Sequence, residues 1–126
     1  YGIDPARVRL NVHADDIALG VDMAVPCGLI INELVSNALK HAFLPDAAGT
    51  IEIVIRTLHA GRIEIVVADD GIGLVEPLAD PEHPSLGLRL IDTLTTQLGG
   101  TLAITTEQGT RFTITLSAPE QSNEEF

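Results

Sequence analysis

Apolar and polar residues alternate from Val8 to Val12 (Val-Arg-Leu-Asn-Val), which predicts a half-buried strand. Between Val25 and Ala42 the spacing turns helical, with Ile31, Leu34, Val35, Ala38 and Ala42 on one stripe. Pro26 suits the first turn of that helix, where a missing N–H costs little, while Pro45 lies beyond its end and Gly49 marks the way out of the following loop. Ile51, Ile53 and Ile55 then alternate with Glu52, Val54 and Arg56, and Ile63, Ile65 and Val67 repeat the pattern beyond a turn containing Gly61, so the segment reads as a hairpin. Residues 69–85, with glycines and prolines but no period, form a connection long enough to act as a lid. Helical spacing returns at Leu88, Ile91, Leu94, Thr95 and Leu98, predicting a helix over Leu86–Leu98 that stops at Gly99 and Gly100. Two strands close the chain, Thr101–Thr106 and Thr110–Leu116, turning at Glu107, Gln108 and Gly109. Hairpin-linked strands with helices between them predict an α+β two-layer sandwich, a mixed and mostly antiparallel sheet with helices on one face.

At 126 residues the chain is one domain's worth, with a core expected over about 8–117 and an acidic tail over 118–126. Hydrophobic residues make up 45%, which excludes a disordered chain, and no apolar run reaches the roughly 20 residues of a bilayer span. The single Cys27 forms no internal disulfide, in keeping with a reducing, cytoplasmic setting. A net charge of −11 repels phosphate backbones, and one Tyr with three Phe offers no base-stacking platform, so no nucleic-acid partner is expected. An acidic protein can still take a nucleotide if a metal and local backbone donors carry the phosphates.

Four groups can carry such chemistry. On the first helix Glu33, Asn37, Lys40 and His41 fall, at roughly 100° per residue, within about a third of the circumference, on the face expected opposite the apolar stripe. A solvated face is the plainer reading, but Asn32 and Asn37 are poor helix formers where a simple surface would favour Glu or Lys. Asp69, Asp70, Gly71, Ile72 and Gly73 directly follow a strand. They can be an ordinary turn, or a carboxylate able to accept from an amino group beside glycines that let a flat ligand approach. Ser85, Leu86, Gly87 and Leu88 open the second helix, where free N–H groups favour an anion. Gly109 and Thr110 open the last strand, as a hairpin turn would.

In this order and over about Val8 to Leu116, the four groups resemble the N, G1 and G2 boxes and the final Gly-Thr of the Bergerat-fold ATPases, the superfamily of gyrase, Hsp90, histidine kinases and MutL. The run Ile30 to Phe43 (Ile-Ile-Asn-Glu-Leu-Val-Ser-Asn-Ala-Leu-Lys-His-Ala-Phe), the string Ser85 to Leu90 and the string Gly109 to Phe112 look most like histidine kinases of the HisKA_2 class. The resemblance implies a protein-histidine kinase catalytic domain that binds ATP with Mg2+ and releases ADP. Asn37 matches the magnesium ligand, Lys40 a phosphate contact and His41 the ring near the nucleoside. Asp69 matches the acceptor for the adenine amine, Gly71 and Gly73 the glycines under the purine, and Gly87 the glycine near the phosphates. Thr110 matches the hydroxyl supporting Asp69, and Arg89 is a further phosphate candidate. Glu33 matches a catalytic carboxylate that can activate water, serve as general base or orienter for an incoming imidazole, or complete the metal's outer shell.

Partners follow from the same resemblance: a helical dimerisation and phosphoacceptor domain of the parent kinase, and a response regulator downstream. None of His13, His41, His59 and His83 lies in the context of a phosphoacceptor histidine, so that domain is expected outside this sequence. No Phe occurs between Phe43 and Phe112, so the Phe-rich motif of many kinase lids is missing. Two other readings stay open, an anti-sigma-factor-type serine kinase and a non-catalytic nucleotide-binding module for protein contacts.

Overall fold

The computed structural model describes residues 8–39, 48–71, 86–106 and 109–117, without the side chain of Leu86. Its elements run in the order β1 (Val8–Ala14), α1 (Val21–Asn37), β2 (Gly49–Thr57), β3 (Arg62–Asp69), α2 (Leu86–Gln97), β4 (Thr101–Thr105) and β5 (Thr110–Ser117). The strands form one sheet in the order β1-β2-β3-β5-β4. β1 pairs with β2 in parallel, and the other three pairings are antiparallel. The two-layer α+β architecture expected from the periodicity is therefore the one observed. The tail over 118–126 and the bulk of the lid lie outside the described residues.

Alternation on the central strands sorts side chains between two faces. Ile51 and Ile53 of β2, Ile63, Ile65 and Val67 of β3, and Phe112, Ile114 and Leu116 of β5 are buried against Met23, Cys27, Ile30 and Leu34 of α1, Ala38 at its C-cap, and Ile91 of α2. Each fully buried aliphatic side chain contributes roughly 1.5–3 kcal/mol to stability. The β2–β3 hairpin closes through a short 3-10 turn, His59–Gly61, with Ala60 and Gly61 both left-handed.

Three expectations need correction. The helix begins one turn early, at Val21, with the Gly20 carbonyl accepting the N–H of Ala24 at 2.8 Å and of Met23 at 3.1 Å. Pro26 therefore sits inside α1 and not in its first turn. The extra turn buries Met23 in line with Cys27 and Ile30, which offsets the hydrogen bond that Pro26 cannot donate. The stripe accordingly runs through Met23, Cys27, Ile30, Leu34 and Ala38, with Ile31 and Val35 half-buried at its flank.

The second correction concerns β1, which is not half-buried: only Val8 is partly covered. Leu10 and Val12 pair in register with the buried Ile51 and Ile53, yet remain 53% and 57% exposed. The alternation is present, but β1 is the edge strand and the helices cover the sheet nearer its centre. The third correction, the position of Asn37, belongs to the site.

A carboxylate holds each end of β2. At one end Asp15 Oδ2 accepts the Thr57 N–H at 2.9 Å while the Asp15 N–H donates to the Ile55 carbonyl at 2.8 Å. At the other, Asp70 Oδ1 accepts the Thr50 N–H at 2.8 Å while the Asp70 N–H donates to the Thr50 carbonyl at 3.3 Å.

Candidate nucleotide site

Asp69 ends β3, the middle strand, in register with Ile51 on one side and Thr110 on the other. Because Ile51 and Thr110 are buried, the shared register turns the Asp69 side chain toward the helical layer, where it is 9% exposed. Its Oδ1 accepts the Gly71 N–H at 2.9 Å. Burial raises the pKa of this carboxyl; the N–H groups of Gly71 and Thr110 pull it back down, and the neighbouring charge of Asp70 pushes it up again. The result is a desolvated carboxylate held by backbone donors, with lone pairs left for a further donor.

Gly109 makes that arrangement possible. Its φ is +86°, and a Cβ there would overlap the Asp69 carbonyl group and stand 2.9 Å from the Asp70 Cα. Only glycine lets the start of β5 lie this close to the end of β3.

Asn37 ends α1 and is 9% exposed. The face carrying Glu33 and Asn37 thus borders the buried stripe instead of standing opposite it. Asn37 lies only about 60° around the helix from Leu34, and about 20° from Ile30, at 100° per residue. Its Nδ2 is buried with no hydrogen-bond partner among the described residues. Amide oxygen and nitrogen exchange places by a flip of the group, so the unpartnered end can offer an oxygen to a hard cation. Among the described residues no cluster of His, Cys, Asp or Glu could cage a metal by itself.

Glu33, one turn before Asn37, is half-buried with its carboxylate against Gly87 in the first turn of α2. A Cβ on Gly87 would overlap the carboxylate, with Glu33 Cγ at 3.2 Å. The first helix's carboxylate and the second helix's glycine, far apart in sequence, are thereby brought together. Arg89 is not brought in: it is exposed and lies about 200° around α2 from Gly87. Lys40, His41 and Gly73 lie outside the described residues.

Reasoning from sequence missed Asp70 and Thr50 as a pair, because the bond uses Thr50's backbone, which leaves no mark on residue type. A groove of about 410 Å3 opens behind the same strand end, lined by Thr50, Glu52, Ala68, Asp70, Thr105 and Arg111 with Asp69 and Gly109. Glu52, Ala68, Arg111 and Thr105 share one register row, on the face away from the helices. The groove therefore backs onto Asp69 from behind and is not the space its carboxylate faces.

Residues 24–120 match the family described as histidine kinase-, DNA gyrase B- and HSP90-like ATPase. The chain is 33% identical over 98 residues to blue-light-activated histidine kinase 2 of Erythrobacter litoralis, covering 78% of this chain and 28% of that protein. It is 37% identical over 99 residues to the sensor histidine kinase PdtaS of Mycobacterium tuberculosis, covering 77% of this chain and 20% of that one. The chain thus spans less than a third of either relative. Among solved structures, the histidine kinase domain of the Erythrobacter litoralis EL346 blue-light-activated kinase superposes with a TM-score of 0.82 at 31% identity, over 89% of this chain and 52% of that one. Sequence pattern and superposition agree: the chain belongs to the histidine kinase-, DNA gyrase B- and HSP90-like ATPase family, and its similarity within it runs to the sensor histidine kinases.

Proposed function

We propose that this chain is the ATP-binding catalytic domain of a sensor histidine kinase, of the HisKA_2-like type, which binds magnesium–ATP and hands the γ-phosphoryl group to a histidine on a separate helical dimerisation domain of its parent. The observation that carries the reading is Asp69, a buried carboxylate at a strand end, fixed by backbone N–H groups and retaining free acceptor capacity. A desolvated acceptor of this kind suits the exocyclic amine of adenine and is mismatched to the oxygen that guanine presents at the same place.

Asn37 is the residue suited to magnesium, with its buried amide nitrogen unpartnered among the described residues. When bound, the cation offsets phosphate charge and orients the γ-phosphoryl group for in-line transfer. Gly87 lets the phosphates approach the start of α2, with Gly71 and Gly73 under the base, Thr110 beside Asp69 on the neighbouring strand, and Lys40 and His41 as further contacts. Glu33, beside Gly87, stands where it can accept the proton of an incoming imidazole or hold the ring in line. The described histidines, His13 and His59, are exposed on the edge strand and in the hairpin turn, away from Asp69 and Asn37. By the likeness to sensor histidine kinases, the acceptor is assigned to the parent's dimerisation domain, with a response regulator downstream and a cytoplasmic setting. Among the described residues no helix is long and apolar enough to cross a membrane.

Incubation with labelled ATP and the parent's helical dimerisation fragment tests the proposal. Acid-labile, base-stable label on the fragment, and none on this chain alone, is the expected outcome. Acid-stable label on serine would replace it with the serine-kinase reading, and ATP binding without transfer with the non-catalytic one.

A further inference from the structure

Asp69 and Asp70 are adjacent carboxylates with different surroundings. Asp69 points into the helical layer, while Asp70 reaches sideways to β2. The reciprocal pair of bonds between Asp70 and Thr50 extends the β2–β3 ladder one step past its last registered pair, Ile51 and Asp69. On the opposite side, Gly109 packs against the backbone of both aspartates. The dipeptide is thus gripped between β2 and β5.

Asp70 is also the middle residue of a local turn. Asp69 Oδ1 accepts the N–H of Gly71, two residues on, the geometry of an Asx turn. The backbone angles of Asp70 decide whether that N–H reaches the carboxylate. Fixing Asp70 to Thr50 therefore fixes the direction in which the Asp69 lone pairs face. Side-chain bonds at strand ends are common and are often only structural. β2 supplies its own control, because Asp15 accepts from the Thr57 N–H and donates its own N–H to the Ile55 carbonyl at the other end of the strand, roughly 20 Å away at strand rise.

We infer that Asp70 is a positioning residue for base selection: clamped to Thr50, it sets the turn that aims Asp69 at the nucleotide base. This rests on the reading of Asp69 as the adenine acceptor. The role needs an acceptor oxygen at position 70 and no negative charge, so Asp70→Asn should serve and Asp70→Ala should not. Thr50→Pro, at the second residue of β2, removes the donor while leaving the Asp70 carboxylate in place.

Calorimetric titration of the 126-residue chain with magnesium–ATP and magnesium–GTP, alongside thermal melts, decides it. Asp70→Ala and Thr50→Pro should each reduce the preference for ATP over GTP about tenfold. Asp70→Asn should keep the preference, and Asp15→Ala should keep it while lowering the melting temperature comparably. An unchanged preference in Asp70→Ala, with Asp69→Asn losing it, would overturn the positioning role and leave the Asp69 reading standing. Loss of preference in Asp15→Ala would reduce Asp70 to general strand-end stability. A wild-type chain indifferent between ATP and GTP would remove the reading of Asp69 itself. Should Asp70→Ala fail to fold, Thr50→Pro against Asp70→Asn makes the same comparison.

Discussion

The two ends of the candidate site are finished to different degrees. At the Asp69 end, carboxylate, turn and neighbouring strands are tied together by backbone bonds and by a glycine that admits no side chain. At the Asn37 end, an amide is buried with one nitrogen unpartnered, and Glu33 rests against a helix start. The first arrangement is complete within the protein. The second contains a polar group that costs about 1–3 kcal/mol to leave unpaired, the sort of cost a ligand removes. On the proposed reading, base selection is built in advance, while the phosphate end is completed by what binds.

Breaking the finished end should cost most. Gly109→Ala forces a left-handed backbone onto a residue with a Cβ and pushes that atom into the Asp69 carbonyl group. A loss of about 2–4 kcal/mol in urea unfolding is expected, together with loss of nucleotide binding. Asn37→Ala should behave in the opposite way. ATP affinity in magnesium should fall by about 1.5–3 kcal/mol, yet the nucleotide-free protein should be no less stable, since an unpaired amide has been removed. Equal ATP affinity of this variant and wild type in magnesium would return Asn37 to a structural role.

Asp69→Asn separates function from stability at one residue. Adenine affinity should fall by about 1.5–3 kcal/mol, one charged hydrogen bond. The free protein should gain stability, because the ionised carboxylate is held where burial disfavours it. The gain should depend on pH. With a folded pKa above the unfolded value, the Asp69 contribution to stability is full below the unfolded value near 4, and is lost as pH rises through the folded one. Urea midpoints of wild type and Asp69→Asn should therefore differ least in acid and separate as pH rises. A gap that narrows instead would mean that the carboxyl is stabilised in its ionised form. Smallest of all, Leu10→Thr on the exposed edge strand should move stability by no more than about 0.5 kcal/mol in the same assay.

Much of this was legible in the residues, and the failures have a common cause. Alternation at Ile51 to Ile55 and at Ile63 to Val67 placed the hairpin and its buried face correctly, because those strands lie at the sheet centre. The same alternation at Val8 to Val12 misled, since periodicity reveals that a strand has two faces but not whether anything covers them. Pro26 misled for a related reason. Local chemistry favours it at a helix start, and the burial of Met23 and Cys27 overrode that preference. Asp69, Gly87 and Asn37 stood out as candidates because the roles proposed for them depend on residue type. Thr50 was invisible because its part is played by a backbone N–H that any residue but proline supplies.

The parallel pairing of β1 with β2 bears on how the chain reaches this state. β2 and β3 meet across a short turn, whereas Val8 finds Gly49 only after roughly forty residues of intervening chain have been brought round, a loop closure that comes before any contact can reward it. With Leu10 and Val12 uncovered, little apolar burial draws β1 in early. The hairpin and the strand beside it should assemble first, and β1 should dock last, held by its ladder and by Asp15. Substitutions at Leu10 or Asp15 should then speed unfolding and leave the folding rate nearly unchanged, and the amides of β1 should exchange with solvent well before those of β3.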